Sequence, residues 1–220
     1  VAAAAPSLED PAVLSVIDAR FAQQYFDAVD NWDAGRLEDV SAAWQLAFAT
    51  ADNGQASAAA DLVLGMNAHI SRDLAYTVAE VIESADDIDS ETDDYLRIND
   101  VIGSVTDSVL RGAAERFDPN LFLLDQAFAG ERGPDPVELI ALWRSRSFEL
   151  GLQLGAANTA TQRATVEAEI ERTAAAGASI VVVADTAQRR GALDDLEISE
   201  RFMALDPLER DAYCAARLDR

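Results

Sequence analysis

The spacing of apolar residues along the chain is the feature that most restricts its fold. Apolar side chains recur every three or four positions and do not alternate with polar ones. This period is typical of amphipathic helices, whereas half-buried strands have a period of two. We count about eight such segments, and they predict an all-α, single-domain bundle. The first covers about residues 11–31, with one apolar stripe made of Val13, Ile17, Phe21, Tyr25 and Val29.

Asp-Pro dipeptides indicate where several of these helices begin. Four of the six prolines directly follow an aspartate, namely Pro11, Pro119, Pro136 and Pro207. An aspartate can accept hydrogen bonds from the unpaired amides of a first helical turn, and proline fits the first helical position because that amide has no intrahelical partner. The four dipeptides therefore predict four helix starts.

Further helices are predicted at about residues 36–50, 58–84 and 93–116, with a short one after Pro119, one at about residues 136–155 and at least two more in the tail. The second carries Leu37, Val40, Trp44 and Phe48 as its inward residues. The acidic segment 86–94 is predicted to be a loop. The β-branched run 179–183 predicts a buried helical turn, because a single strand would have no partner.

The charge balance excludes some classes of partner. Aspartate and glutamate number 40 against 17 basic residues, giving a formal charge of −23, and every basic residue is arginine. Nucleic acids and anionic membranes are bound through cationic side chains that displace counterions. We therefore expect neither nucleic acid nor membrane as a partner. The oligomeric state is not readable from the sequence.

Several features of the sequence bear on the cellular location. No apolar run approaches the roughly twenty residues that span a bilayer, and the single Cys214 cannot form an internal disulfide. The sequence begins at Val1 without an initiator methionine. We expect a soluble cytoplasmic protein whose start has been trimmed, with a processed secreted form as the alternative.

Metal and cofactor sites of the common kinds are not expected. One histidine and one cysteine cannot supply a structural zinc site or the paired Glu-x-x-His motifs of a dinuclear bundle. The sequence also lacks a phosphate loop, a dinucleotide fingerprint and a Gly-x-Ser-x-Gly elbow. The prediction is no metal and no cofactor.

The long third helix carries polar residues inside an apolar segment. Asn67 and Asp73 fall within the arc of its apolar face, and His69 lies at the edge of that arc, one turn before Asp73. A buried carboxylate without a partner costs several kcal/mol. Asp73 is therefore predicted to contact an arginine, a histidine or backbone donors.

This segment resembles a known signature. The run Gly65-Met66-Asn67-Ala68-His69-Ile70, followed after two residues by Asp73-Leu74, is similar to that of a bacterial family catalogued only as a domain of unknown function. Weaker similarities lie at Phe21–Ala28, Trp44–Phe48, Tyr95–Asn99 and around Trp143. The resemblance covers about residues 20–155, so we expect one domain over residues 1–220 with a helical extension at 156–220. It implies a fold and focal residues without a reaction.

Two functions fit these residues. In the first, a mostly apolar pocket takes a small apolar molecule, and His69 and Asp73 carry out acid–base chemistry such as hydrolysis, isomerisation or cyclisation. The ligand-binding residues of that pocket would be Asn67, Asn99, Trp44 and Arg144, with Arg146 as an alternative to Arg144. In the second, the same residues form a structural hydrogen-bond network inside a helical interaction or scaffold protein. Whether the chain is an enzyme stays open at this stage.

Overall fold

Asp-Pro dipeptides and serine caps delimit the helices that the structure contains. The computed structural model describes residues 11–82, 88–116, 136–191, 204–206 and 209–210. Within these ranges the chain forms seven α-helices and no strand. They are α1 (Pro11–Asp33), α2 (Ala42–Asp52), α3 (Ala58–Ala68), α4 (Leu74–Ile82), α5 (Ile88–Arg116), α6 (Pro136–Gly155) and α7 (Ala160–Gly191). The predicted all-α fold is confirmed.

Three of the four helix starts that were predicted at prolines lie at or next to residues that the structure describes. Pro11 and Pro136 are the first residues of α1 and α6, as predicted. At the third, the amide of Glu209 donates to the carboxylate of Asp206 over 3.0 Å, which is the expected capping bond. The predicted short helix after Pro119 lies outside the described residues.

One continuous helical rod forms the centre of the described bundle. It consists of α3, a five-residue π-helical turn (His69–Asp73) and α4. Helices α2 and α7 pack along α3, α1 and α6 pack along α4, and α5 packs on α6 and α1. None of the described helices is long and apolar enough to cross a membrane.

The prediction of a single helix over residues 36–50 is wrong for its first part. Residues Leu37–Asp39 form a 3-10 turn, and α2 begins only after Ser41, whose hydroxyl accepts from the amide of Trp44. The side-chain amide of Gln45 donates to the carbonyls of Leu37 and Val40, which supplies partners for the broken segment. Leu37, predicted to face inward, is consequently exposed.

Two other predictions need correction. The acidic segment 86–94 is helical from Ile88 onward, because α5 begins there. Acidic residues are favoured in the first turns of a helix, where unpaired amides carry partial positive charge. The run 179–183 is helical as predicted, within α7. It is not a buried turn, however, since Ile180 and Val183 are 70% and 69% exposed.

The rod and α6 approach each other closely at Gly151. A β-carbon at this position would lie 2.6 Å from the Cβ and Cγ1 atoms of Val78 and 2.8 Å from the carbonyl oxygen of Ala75. Atoms at such distances overlap, so only glycine fits without displacing α4. The contact holds the α6 side of the core against the rod.

We predict that Gly151→Ala destabilises the protein by about 1–3 kcal/mol, because α6 must move away from Val78. Gly112→Ala is the matched control, since no atom lies within 4 Å of a β-carbon at that helical position. The free energy of unfolding of the control should rise by about 0.5–1 kcal/mol, because alanine has less conformational entropy than glycine in the unfolded chain. Urea unfolding of both variants measures the difference, and equal effects would contradict the close contact.

Candidate functional site

The π-helical turn places the predicted catalytic residues at its two ends. A π turn interrupts the regular bonding of an α-helix and is frequent at functional sites. Here a side chain from α6 joins the turn: the hydroxyl of Ser147 lies 2.6 Å from the carbonyl oxygen of Ile70 and 2.9 Å from that of Trp143. The hydroxyl can donate its single proton to only one of these two carbonyl oxygens at a time. Its contact with Ile70 links α6 to the turn.

Asp73 is the most enclosed charged group of this site, with 1% of its side chain exposed. Its Oδ2 atom accepts from the indole nitrogen of Trp44 at 2.7 Å and lies 3.1 Å from Nδ1 of His69. Its Oδ1 atom accepts from Arg72 at 2.8 Å. The prediction that Asp73 contacts an arginine or a histidine is confirmed, and both are present.

These contacts decide which nitrogen of His69 carries the proton. An ionised carboxylate oxygen only accepts hydrogen bonds, so Nδ1 must donate and the neutral ring has its lone pair on Nε2. Among the residues that the structure describes, none bonds Nε2. The side chain is 23% exposed, which leaves this edge of the ring partly accessible.

Aromatic rings surround the imidazole. Phe21 stacks on His69 with ring centroids 3.5 Å apart and an interplanar angle of 5°. Tyr25 and Trp44 lie at 6.0 Å on tilted planes. The ring is therefore held on one face by an apolar partner and on one edge by a carboxylate.

Arg72 extends the site toward α7. Its Nε donates to Glu171 over 2.8 Å, and its guanidinium lies 4.7 Å from the ring centroid of Tyr76. Burial lowers the pKa of Arg72, but Asp73 and Glu171 raise it further, and the net direction is upward. Burial, together with the charge of Glu171, raises the pKa of Tyr76 to about 12.

Asn67 connects α3 to α7 through its side-chain amide. Its amide nitrogen donates to the carbonyl of Ala174 over 2.8 Å, and its oxygen accepts from Ser71. A β-carbon at Gly177 would lie 2.3 Å from that oxygen, so α7 approaches Asn67 as closely as glycine allows. With both ends of its amide bonded and no exposed surface, Asn67 links α3 to α7.

Asn99 and Arg144 form a second polar cluster between α5 and α6. Arg144 donates from Nε to Asn99 over 2.8 Å and from Nη2 to the carbonyl of Tyr95 over 3.0 Å. Phe21 and Tyr95 pack into one apolar cluster, which lies between this pair and His69. Arg146 instead bonds Glu149 and Glu169. The structure thus joins Trp44, His69 and Asp73, whereas Asn99 and Arg144 lie in a separate cluster.

Sequence reasoning did not assign roles to Arg72 and Glu171. The signal for Arg72 was available, because Asp73 needed a cation and Arg72 is its neighbour in the sequence. Glu171 is 98 positions beyond Asp73, and no local pattern connects it to the site. Among the described residues, no group of three His, Cys, Asp or Glu side chains is placed to hold a metal ion.

Comparison with known proteins gives one match. A family model described as a family of unknown function, DUF5995, matches residues 1–184. This range extends beyond residues 20–155, over which the motifs alone showed a resemblance. Searches of curated proteins and of solved structures found no match.

We predict that Asp73→Asn destabilises the fold by about 3 kcal/mol, because the amide group would face donors and leave the charge of Arg72 less compensated. Asp100→Asn is the control, since Asp100 is an exposed residue of α5 and should change stability by less than about 0.5 kcal/mol. Urea unfolding at neutral pH compares the two. Similar small effects would show that the carboxylate is not needed for folding.

We predict a loss of stability at alkaline pH that depends on Tyr76. Its folded pKa of about 12 lies above the ordinary value of 10.0, so folding favours the neutral phenol. This contribution is complete below pH 10 and is lost as pH rises toward 12. The stability difference between wild type and Tyr76→Phe should therefore be constant at lower pH and change above pH 10. A difference that stays constant throughout would refute the shift.

Proposed function

The chain belongs to DUF5995, a family of unknown function, and on that premise we propose that it binds a small, largely apolar molecule beside His69 and uses this histidine as a general acid and base. One observation carries the proposal. The buried carboxylate of Asp73 lies 3.1 Å from Nδ1, and this contact directs the basic nitrogen Nε2 away from the carboxylate.

The charges around His69 support proton transfer at Nε2. Asp73 and Glu171 together contribute two negative charges, and Arg72 between them contributes one positive charge. When Nε2 accepts a proton, the resulting imidazolium lies beside the carboxylate of Asp73, which bonds Nδ1. His69 could then return the proton to a leaving or rearranging group. Hydrolysis, isomerisation and cyclisation all use such a step.

The aromatic residues support an apolar ligand. Tyr25 is 40% exposed and Phe26 is 55% exposed, and their rings lie 5.7 Å apart. Tyr25 also contacts the ring of Trp44 at 5.4 Å. A ligand with an apolar body could pack on these rings while a carbonyl or hydroxyl group bonds Nε2.

A second candidate function is a helical interaction or scaffold protein. The observation that favours it lies on α5, where Val101, Val105 and Val109 are spaced four residues apart and are 37%, 44% and 60% exposed. Side chains at this spacing share one helix face. In this alternative the contacts of Asp73 serve only to hold the helices together.

The proton position on His69 gives the first test. We expect ¹⁵N NMR of the neutral ring to show protonated Nδ1 and unprotonated Nε2. The signal is unambiguous because the chain has one histidine. A collection of small esters, ketones and alcohols with apolar groups should then contain compounds that shift the Nε2 resonance.

Any compound that binds can be used in an activity assay. His69→Gln should lower turnover by roughly 10²–10⁴-fold, the usual contribution of general acid–base catalysis, while unfolding changes little. Gln23→Ala on the exposed side of α1 is the control and should keep full turnover. The scaffold alternative would be supported if His69→Gln lost several kcal/mol of stability and the Nε2 resonance of His69 in the wild-type protein responded to no compound.

A further inference from the structure

Trp44 contacts the buried carboxylate of Asp73 from outside the π turn. His69 and Arg72 lie in the same turn as Asp73, whereas Trp44 lies on α2, 29 positions before Asp73 in the chain. Among the described residues, Trp44 is the one hydrogen-bond donor to Asp73 that comes from another helix. The orientation of the carboxylate relative to the other helices therefore depends on Trp44.

Both acceptor sites of Oδ2 on Asp73 are occupied. The indole N–H of Trp44 donates to this oxygen over 2.7 Å, and Nδ1 of His69 lies 3.1 Å from it. A carboxylate oxygen has two lone pairs, so these two donors use all the capacity of Oδ2. A rotation of the carboxylate away from His69 would break the bond to Trp44, and this bond therefore opposes the rotation.

The position of Trp44 is itself fixed by packing. Its ring stacks on Phe48 with centroids 5.0 Å apart and an interplanar angle of 16°. Its backbone amide donates to the hydroxyl of Ser41 at the start of α2. Only 4% of the residue is exposed, so its ring has little surface to offer a ligand, whereas its N–H reaches the carboxylate directly.

We infer that Trp44 is a positioning residue, which holds Oδ2 of Asp73 toward Nδ1 of His69 and thereby keeps the proton of the neutral ring on Nδ1. In a neutral histidine, the hydrogen bond made by one ring nitrogen decides which nitrogen carries the proton. Nε2 is then the nitrogen that can accept a proton. The inference rests on the acid–base function proposed above and adds a participant that acts through Asp73.

Trp44→Phe tests this role, because it removes the N–H and keeps an aromatic ring beside Phe48. Without this bond the carboxylate can turn away from Nδ1, and the ring can take its proton on Nε2 instead. We expect ¹⁵N NMR of the neutral ring to show that the ratio of Nδ1-protonated to Nε2-protonated His69 falls roughly tenfold, the usual loss for a hydrogen bond to a charged group.

Trp32→Phe is the matched control. Trp32 also packs on Phe48, with ring centroids 5.5 Å apart, and its indole nitrogen donates over 3.0 Å to the carboxylate of Asp52, an exposed residue. This variant therefore removes the same kind of hydrogen bond without involving Asp73. It should leave the tautomer ratio of His69 as it is in the wild-type protein.

Turnover of any compound that proves to be a substrate separates positioning of Asp73 from contact with the ligand. If Trp44 positions Asp73, Trp44→Phe should lower kcat roughly ten- to hundredfold and change KM by less than about threefold. A higher KM at unchanged kcat would show that the ring of Trp44 contacts the ligand, and this result would overturn the inference.

The tautomer measurement needs no ligand, so it distinguishes failure of this inference from failure of the proposed function. An equal tautomer ratio in wild type and Trp44→Phe overturns the role of Trp44, whichever compounds bind. A ratio that falls in Trp44→Phe alone supports that role, even where no compound is turned over and the catalytic function fails. If Trp44→Phe does not fold, benzothienylalanine in place of Trp44 keeps the two-ring shape without the N–H, and the same ratio decides.

Discussion

The buried carboxylate of Asp73 is the interaction on which the rest of this structure depends. A carboxylate inside a helical bundle must be matched by donors. Here they come from Trp44 on α2 and from His69 and Arg72 within the π turn. Arg72 then requires its own second partner, Glu171 on α7. One charge in the rod is thus linked to two other helices, α2 and α7, and the tautomer of His69 follows from the same contacts.

The sequence predicted much of the local structure because helices are encoded over short distances. The helical period and the prolines at Pro11 and Pro136 located most described helices correctly. The errors also have local causes. Ser41 caps a new helix inside the segment that was predicted to be one helix, and the acidic residues at the start of α5 are typical of loops as well as of helix starts. No pattern of apolar residues distinguishes a single π turn from an α-helix, since the hydrogen bonds span five residues in place of four over only one turn.

The candidate site could be predicted only in part. The need of Asp73 for an arginine, a histidine or backbone donors follows from burial alone, and two such partners, His69 and Arg72, lie within one helical turn. The indole bond of Trp44 and the carboxylate of Glu171 depend on how distant helices pack. The same limit applies to Asn99 and Arg144, which are polar and near one another in the bundle yet belong to a cluster of their own. Composition and spacing carry no information about such separation.

The long-range ties to α7 also bear on how the protein is made. Asn67 bonds a carbonyl 107 positions later, and Ser57 bonds Asp185, 128 positions later. A ribosome synthesises these partners more than 100 residues after their counterparts, so α3 cannot complete its contacts until α7 has emerged. Until then the face of α3 that packs on Ala174 and Ala178 stays uncovered in the growing chain, and exposed apolar surface of this kind makes a folding intermediate prone to aggregate.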